Sequence, residues 1–147
     1  MAGFTLSERI QAPPEEVFAF LVDVDNATKV FTTVKRTEKL GNKAVDVGTR
    51  YLQVRQVAGN EYSGEYEVLE IDPPRLYVVS SLDEGIRATY RYQLEPVGGS
   101  TLIRLECDVK GEGLSSLLAW LVARAMQRDD ASLLLKFREA FGAATDS

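Results

Sequence analysis

Residues 87–109 read RATYRYQLEPVGGSTLIRLECDV, and the pattern of this stretch decides the fold class. Apolar or aromatic residues alternate with polar ones on both sides of Val97-Gly98-Gly99, which has the composition of a tight turn. A period of two is typical of a strand with one covered face and one wet face. The stretch therefore predicts an antiparallel hairpin whose apolar residues face a core.

The same alternation continues on the N-terminal side of this hairpin. From residue 48 onward, turn-forming residues recur at intervals that are too short for crossover helices. We place strands at residues 4–10, 34–40, 49–57, 61–71, 76–82, 87–96 and 100–109. The sequence thus predicts an antiparallel sheet that is interrupted after its first strand.

Helices are predicted in that interruption and at the C-terminal end. Pro13-Pro14-Glu15-Glu16 is typical of a helix start, and apolar residues then repeat at helical spacing up to Val24. Asp25-Asn26 ends this helix and caps a second short one that runs to about Phe31. Residues 114–141 contain neither Pro nor Gly and predict a long helix, the element long enough to cover the apolar face of the sheet.

Composition limits the chemistry. The 147 residues suit a single domain over residues 1–147, and His is absent. This absence excludes a Ser-His-Asp triad and any His-ligated metal site, so we expect no metal and no cofactor. The single cysteine, Cys107, has no intramolecular disulfide partner.

Charge and hydropathy limit the partners and the location. The net charge of −5 opposes binding to nucleic acid. The N-terminal residues lack the pattern of a signal peptide, and no run reaches the roughly 18 apolar residues of a transmembrane helix. We therefore expect a cytoplasmic protein without an integral membrane segment.

Five stretches, in this order and spacing, form a pattern that covers nearly the whole chain. They lie at residues 10–23 (beginning IQAPPEEVF), 47–51 (VGTRY), 68–74 (VLEIDPP), 92–101 (YQLEPVGGST) and 135–139 (LKFRE). The pattern resembles the START-related superfamily of helix-grip proteins, which includes polyketide cyclases, lipid-transfer domains and the birch-pollen-allergen group. The resemblance implies an α+β helix-grip fold, in which a seven-stranded antiparallel curved sheet wraps a long C-terminal helix around an elongated apolar cavity, with two short helices between strands 1 and 2.

Strand alternation supplies candidate residues for such a cavity. Tyrosines among aliphatic residues suit a hydrophobic ligand that carries oxygen groups, such as a lipid, a polyketide or an aromatic compound. The alternative is that these side chains simply fill a core. The candidate ligand-binding residues are Leu52, Val54, Tyr62, Tyr66, Tyr90, Tyr92, Ile103, Leu105 and Cys107 on the strands and Leu121 on the helix.

A second hypothesis is a cyclase or dehydrase of the polyketide type. Tyr90 or Tyr92 would orient a carbonyl, and the carboxyl of Asp130 or Glu8 would move a proton if burial raised its pKa. Alternatively, Asp130 is solvated and Glu8 pairs with Arg50 or Arg104.

Two further predictions concern the cavity mouth and the outer surface. Arg50 and Gln56 share the parity of Leu52 and Val54, so one of them is a candidate for the cavity mouth. The stretch from Leu117 to Met126, around Trp120, is apolar on more than one side. It is therefore a candidate contact for a homodimer or a protein partner, which is the third hypothesis.

Overall fold

The computed structural model describes residues 2–23, 26, 34–57, 59–83, 86–111 and 133–145. Within these ranges the predicted strands are present, with ends within about two residues of those read from the sequence. The strands are β1 (Ala2–Ile10), β2 (Val34–Leu40), β3 (Arg50–Val57), β4 (Asn60–Asp72), β5 (Leu76–Asp83), β6 (Ile86–Val97) and β7 (Ser100–Gly111), and the helices are α1 (Pro14–Val22) and α2 (Leu133–Thr145).

The strands form one curved antiparallel sheet in the order β1-β7-β6-β5-β4-β3-β2. Strands β2 to β7 follow one another as a meander, and β1 pairs with β7 from the other end of the chain order. This arrangement leaves β1 and β2 as the two edge strands. The predicted helix-grip fold is confirmed.

Helix α1 forms where the sequence places its start signals. Pro13 precedes the helix, and Glu15 and Glu16 lie in its first turn, where carboxylates favour the positive end of the helix dipole. Val17 and Phe18 are buried against the sheet. The helix therefore closes the core at the end of the sheet near β6 and β7.

Helix α2 buries one stripe of its surface. Leu134, Phe137 and Phe141 follow helical spacing and join the same core cluster as β1 and β7. The Phe20 ring of α1 contacts the rings of Phe137 and Phe141 edge to face, with centroid distances of 5.2 Å and 5.4 Å. These contacts bind the two helices to each other as well as to the sheet.

Some sequence-based predictions lie outside the described residues. These are the second short helix, the Leu117 to Met126 stretch with Trp120 and Leu121, and Asp130. The described part of the long helix begins at Leu133 and continues past its predicted end at Phe141 to Thr145. Among the helices in the described ranges, none has the length and apolar character required to cross a membrane.

Candidate functional site

The strand register defines which side chains share the concave face of the sheet, the face that carries the core. Tyr51 pairs with Tyr66, which packs against the core cluster, and Gln53 pairs with Gly64. Directly paired residues point to the same side of a sheet, and neighbours along a strand point to opposite sides. Tyr51 and Gln53 therefore belong to the concave face.

The predicted inward orientation of Leu52 and Val54 is wrong. These residues pair with Glu65 and Ser63, on the opposite, convex face. Val54 is nevertheless buried there, with 7% of its surface exposed. An aliphatic residue in this sheet can thus be buried on either face, so the rule that aliphatic residues point inward gives the wrong parity for β3.

Another buried valine on the convex face illustrates how this burial arises. Val78 lies between Glu70 and Arg91 in the ladder and is 5% exposed. The Arg91 and Glu70 side chains form an ion pair across it, with Nη2 and Oε2 3.4 Å apart. The apolar stems of such long side chains cover aliphatic surface while their charged ends stay in water.

Arg50 and Gln56 are also not at a cavity mouth on the concave face. Both are exposed, and they share the convex parity of Leu52 and Val54. The Arg50 Nε atom lies 3.4 Å from Oε1 of Glu67 in an exposed ion pair. This arginine therefore supports the outer surface of the sheet rather than a ligand.

The concave face collects phenols from four adjacent strands. Tyr77 is central among them: its ring centroid lies 6.2 Å from that of Tyr92 and 6.2 Å from that of Phe18 on α1. The buried or half-buried tyrosines are Tyr51 on β3, Tyr66 on β4, Tyr77 on β5, and Tyr90 and Tyr92 on β6.

Sequence reasoning misses Tyr51 and Tyr77. Reading Leu52 and Val54 as inward places Tyr51 on the outer face. Tyr77 lies among aliphatic residues on both parities of β5, so alternation gives no preference. A usable signal is the restriction of all six tyrosines to residues 51–92, since their shared apolar ring and polar tip suit one common surface.

The β7 residues and β6 tyrosines named as candidates do come together. Tyr90 pairs with Cys107, and Tyr92 pairs with Leu105, on the concave face. Cys107 is a buried free thiol, and Ile103 and Leu105 are fully buried. Tyr66 is partly buried against the same core cluster, whereas the Tyr62 side chain and Leu121 lie outside the description.

The Tyr51 hydroxyl is the unusual polar atom of the concave face. It is buried and has no hydrogen-bond partner among the described residues that meets the required distance and angle. Burial raises the pKa of the Tyr51 phenol, and the nearby Tyr77 hydroxyl lowers it in the manner of a donor. Because the geometry of a formed bond is not met, the two hydroxyls are close neighbours and Tyr51 keeps capacity for another partner.

The Tyr77 phenol is buried more deeply. Burial raises its pKa, and the neighbouring Tyr51 and Tyr92 phenols raise it further. A raised phenol pKa means that the protonated form persists well above neutral pH. The group of phenols is therefore an uncharged set of hydroxyls at neutral pH.

Gly64 leaves open space on this face. A Cβ atom built on Gly64 would meet no atom of the described residues within 4 Å. Its partner Gln53 is buried, and Tyr66 lies two residues along the same strand. The concave surface beside Tyr66 and Gln53 is thus unfilled at the level of the sheet backbone.

Glu8 occupies an inward register position but has a partner that differs from the predicted ones. It pairs in the ladder with Ile103, and its Oε1 accepts a hydrogen bond from Nη1 of Arg138 at 2.8 Å. Its predicted pairing with Arg50 or Arg104 is therefore wrong, although the interpretation as an ion pair at the sheet edge is correct. The contact ties β1 to α2, because Arg138 is a residue of that helix.

A metal centre has no basis in the described part of the chain. No three Asp, Glu or Cys side chains of those ranges lie together as ligands would. What the concave face offers is apolar surface, phenol hydroxyls and a buried amide. These groups bind and orient an organic molecule.

The comparison with protein families agrees with this geometry. Residues 1–141 match the family described as polyketide cyclase / dehydrase and lipid transport. The chain belongs to this family. No curated protein matches this polyketide cyclase / dehydrase chain.

Solved structures of similar fold include proteins of several kinds. The family member resembles TTHA0849 from Thermus thermophilus, with 23% identity, a TM-score of 0.76, and coverage of 97% of this chain and 98% of that chain. It also resembles Ara h 8.0201, with 15% identity, a TM-score of 0.76 and coverage of 99% and 98%. At these identities the likeness concerns the fold.

A third similar structure is larger. The di-domain ARO/CYC BexL from the BE-7585A biosynthetic pathway has 16% identity and a TM-score of 0.83, with coverage of 100% of this chain and 48% of that chain. The polyketide cyclase / dehydrase chain thus spans about half the length of BexL, as one domain of a di-domain protein would.

Proposed function

We propose that this protein binds an apolar or aromatic small molecule on the concave face of its sheet, between the sheet and the C-terminal helix. The observation that carries the proposal is the unfilled space at Gly64, beside Tyr66, Gln53 and Tyr51. A position inside a strand that faces a core is normally occupied by a side chain, which contributes packing. Here a molecule from outside the chain would occupy that space.

The backbone does not require glycine at this position. Gly64 lacks the positive φ that marks Gly41 and Gly48, and it continues the regular register of β3 and β4. A glycine inside a strand costs roughly 0.5–1 kcal/mol relative to alanine, and often marks a close approach of a ligand or another backbone. The space at Gly64 therefore supports a binding role better than a folding role.

The phenols suit a ligand that is mostly apolar but carries oxygen. Tyrosine rings provide flat apolar surface, and their hydroxyls provide hydrogen bonds at fixed points. Tyr77 and Tyr92 lie with their rings tilted by 30° to each other, next to the Phe18 ring. A fused-ring or long acyl molecule that lies along these rings would bury most of its surface.

Membership of the family supports the same class of ligand. Its description joins polyketide cyclase, dehydrase and lipid transport, whose substrates or cargo share a large apolar skeleton. The fold alone hosts several functions, so the side chains of the concave face carry the argument.

Titration with a neutral fluorescent probe, N-phenyl-naphthylamine, tests this proposal. The purified wild-type chain should bind the probe saturably, and Gly64→Leu should weaken that binding by about tenfold or more, because the leucine fills the space. Gly99→Leu is the matched control, since Gly99 also has open space around it but lies in the exposed β6–β7 turn. Circular dichroism should show that both variants are folded.

Native mass spectrometry of the protein as purified adds an independent readout. A discrete adduct that is released on denaturation would identify the class of ligand by its mass. The proposal is wrong if the wild-type chain shows neither an adduct nor saturable probe binding, or if Gly64→Leu and Gly99→Leu bind the probe as tightly as the wild type.

A further inference from the structure

Two buried hydroxyls on the concave face lack partners within the described ranges, and they lie on adjacent strands. Among the described residues, the side-chain oxygens of Tyr51 and Thr37 are the buried ones for which no hydrogen-bond partner exists. Tyr51 is only 6% exposed. A buried polar group without a partner costs about 1–3 kcal/mol, so two together require an explanation.

The register places these hydroxyls together. Thr37 pairs with Gln53, and Lys39 pairs with Tyr51, so Thr37 and Tyr51 are diagonal neighbours on one face of the β2–β3 pair. Diagonal neighbours are separated by roughly 7–8 Å, which a tyrosine side chain can span. A single ligand atom or group between them can therefore reach both hydroxyls.

The surroundings favour an uncharged group at this point. Lys39 shares the face, but its Nζ donates a hydrogen bond to the carbonyl oxygen of Lys43 in the exposed β2–β3 connection. A charged ligand group that was buried without an opposite charge would lose far more solvation than two hydroxyls return. A carbonyl or hydroxyl oxygen has no such cost once it is hydrogen-bonded.

We infer that Tyr51 and Thr37 form the polar end of the proposed ligand site and recognise an uncharged oxygen, a ketone or a hydroxyl, on an otherwise apolar skeleton. Gly64 lies across β3 from Thr37, because both pair with Gln53. The open space therefore leads directly to the hydroxyls. This inference rests on the proposed function and adds the chemical class that the site selects.

Three naphthalene probes with substituents at the same ring position test it: acetylnaphthalene, ethylnaphthalene and naphthoate. The wild-type chain should bind acetylnaphthalene about 2- to 13-fold more tightly than ethylnaphthalene, which corresponds to a net hydrogen-bond contribution of about 0.5–1.5 kcal/mol. Tyr51→Phe should abolish this preference while leaving the affinity for ethylnaphthalene unchanged. Thr37→Val should reduce it, and Thr5→Val, on the exposed part of β1, should not.

The outcomes separate the two proposals. If the wild type binds none of the probes, the proposed function fails. If it binds acetylnaphthalene and ethylnaphthalene equally, or if Tyr51→Phe keeps the preference, the protein binds apolar ligands but the assignment of the polar end is wrong. Tightest binding of naphthoate, lost in Lys39→Met, would overturn the uncharged class in favour of a carboxylate.

Discussion

The two ends of the concave face differ in how completely the chain satisfies them. At the end closed by α1, here called the packed end, apolar side chains are at most 2% exposed, and the one buried hydroxyl of Thr101 donates to the Ala12 carbonyl oxygen at 2.7 Å. At the end formed by β2 to β4, here called the open end, the hydroxyls of Thr37 and Tyr51 are unpaired within the described residues and Gly64 faces open space. The packed end is defined by Ile10, Val17, Leu94, Ile103 and Thr101, and the open end by Thr37, Tyr51, Gln53 and Gly64.

The difference teaches that one sheet can divide its tasks along its width. Buried polar groups in proteins are normally paired, and the packed end follows this rule. The open end departs from it at neighbouring positions of the ladder. Stability is thus concentrated near α1, and binding capacity near β3.

The largest effect is expected at the packed end. Ile103→Ala should lower the free energy of unfolding by about 2–5 kcal/mol, because it leaves a cavity at a position that is 0% exposed. Urea denaturation measures this loss. Val97→Ala, in an exposed position near the β6–β7 turn, is the control and should change stability by about 0.5 kcal/mol at most. Equal losses in the two variants would mean that the packed end is not the stabilising region.

The same substitution at both ends should have different effects. Thr101→Val removes the hydrogen bond to Ala12 and leaves a buried carbonyl unpaired, so it should cost about 1–3 kcal/mol. Thr37→Val removes a hydroxyl that has no partner among the described residues, so the ligand-free protein should be as stable as the wild type or more stable. Thermal unfolding of the two variants makes the comparison. A similar loss for both would show that Thr37 is hydrogen-bonded in solution.

The smallest effect is a gain at the open end. Gly64→Ala should raise the free energy of unfolding by about 0.4–1 kcal/mol, because alanine restricts the unfolded chain and its Cβ meets no described atom in the folded one. Gly3→Ala is the opposite case, since its Cβ would lie 2.3 Å from the Cys107 carbonyl oxygen. Urea denaturation should show the gain at Gly64 and a loss at Gly3. A loss at Gly64 would indicate that the space is already filled by the chain.

The sequence predicts the packed end and most of the sheet, but it does not predict the open end. The strands of the β6–β7 hairpin are located because Tyr90, Tyr92 and Leu105 alternate cleanly with polar residues. On β3 the same rule fails, because Gln53 faces inward and Val54 outward. A strand that presents polar groups to an interior violates the pattern from which orientation is read, and such violations are concentrated at functional sites.

Some of the missed features depend on tertiary structure alone. The partner of Glu8 is Arg138, which is separated from it by most of the chain, so no local pattern could identify it. The space at Gly64 is likewise a property of what the rest of the fold leaves uncovered, and periodicity carries no information about empty volume.

The edge position of β2 bears on how the protein behaves at high concentration. An edge strand with free backbone groups can recruit another copy and start aggregation. In β2, the residues around Thr37 are charged: Lys35, Arg36 and Lys39 are cations and Glu38 is an anion. Two such edges that approached each other would bring an excess of like charge together and would have to strip water from it. The strand that contributes to the open end thus also discourages self-association.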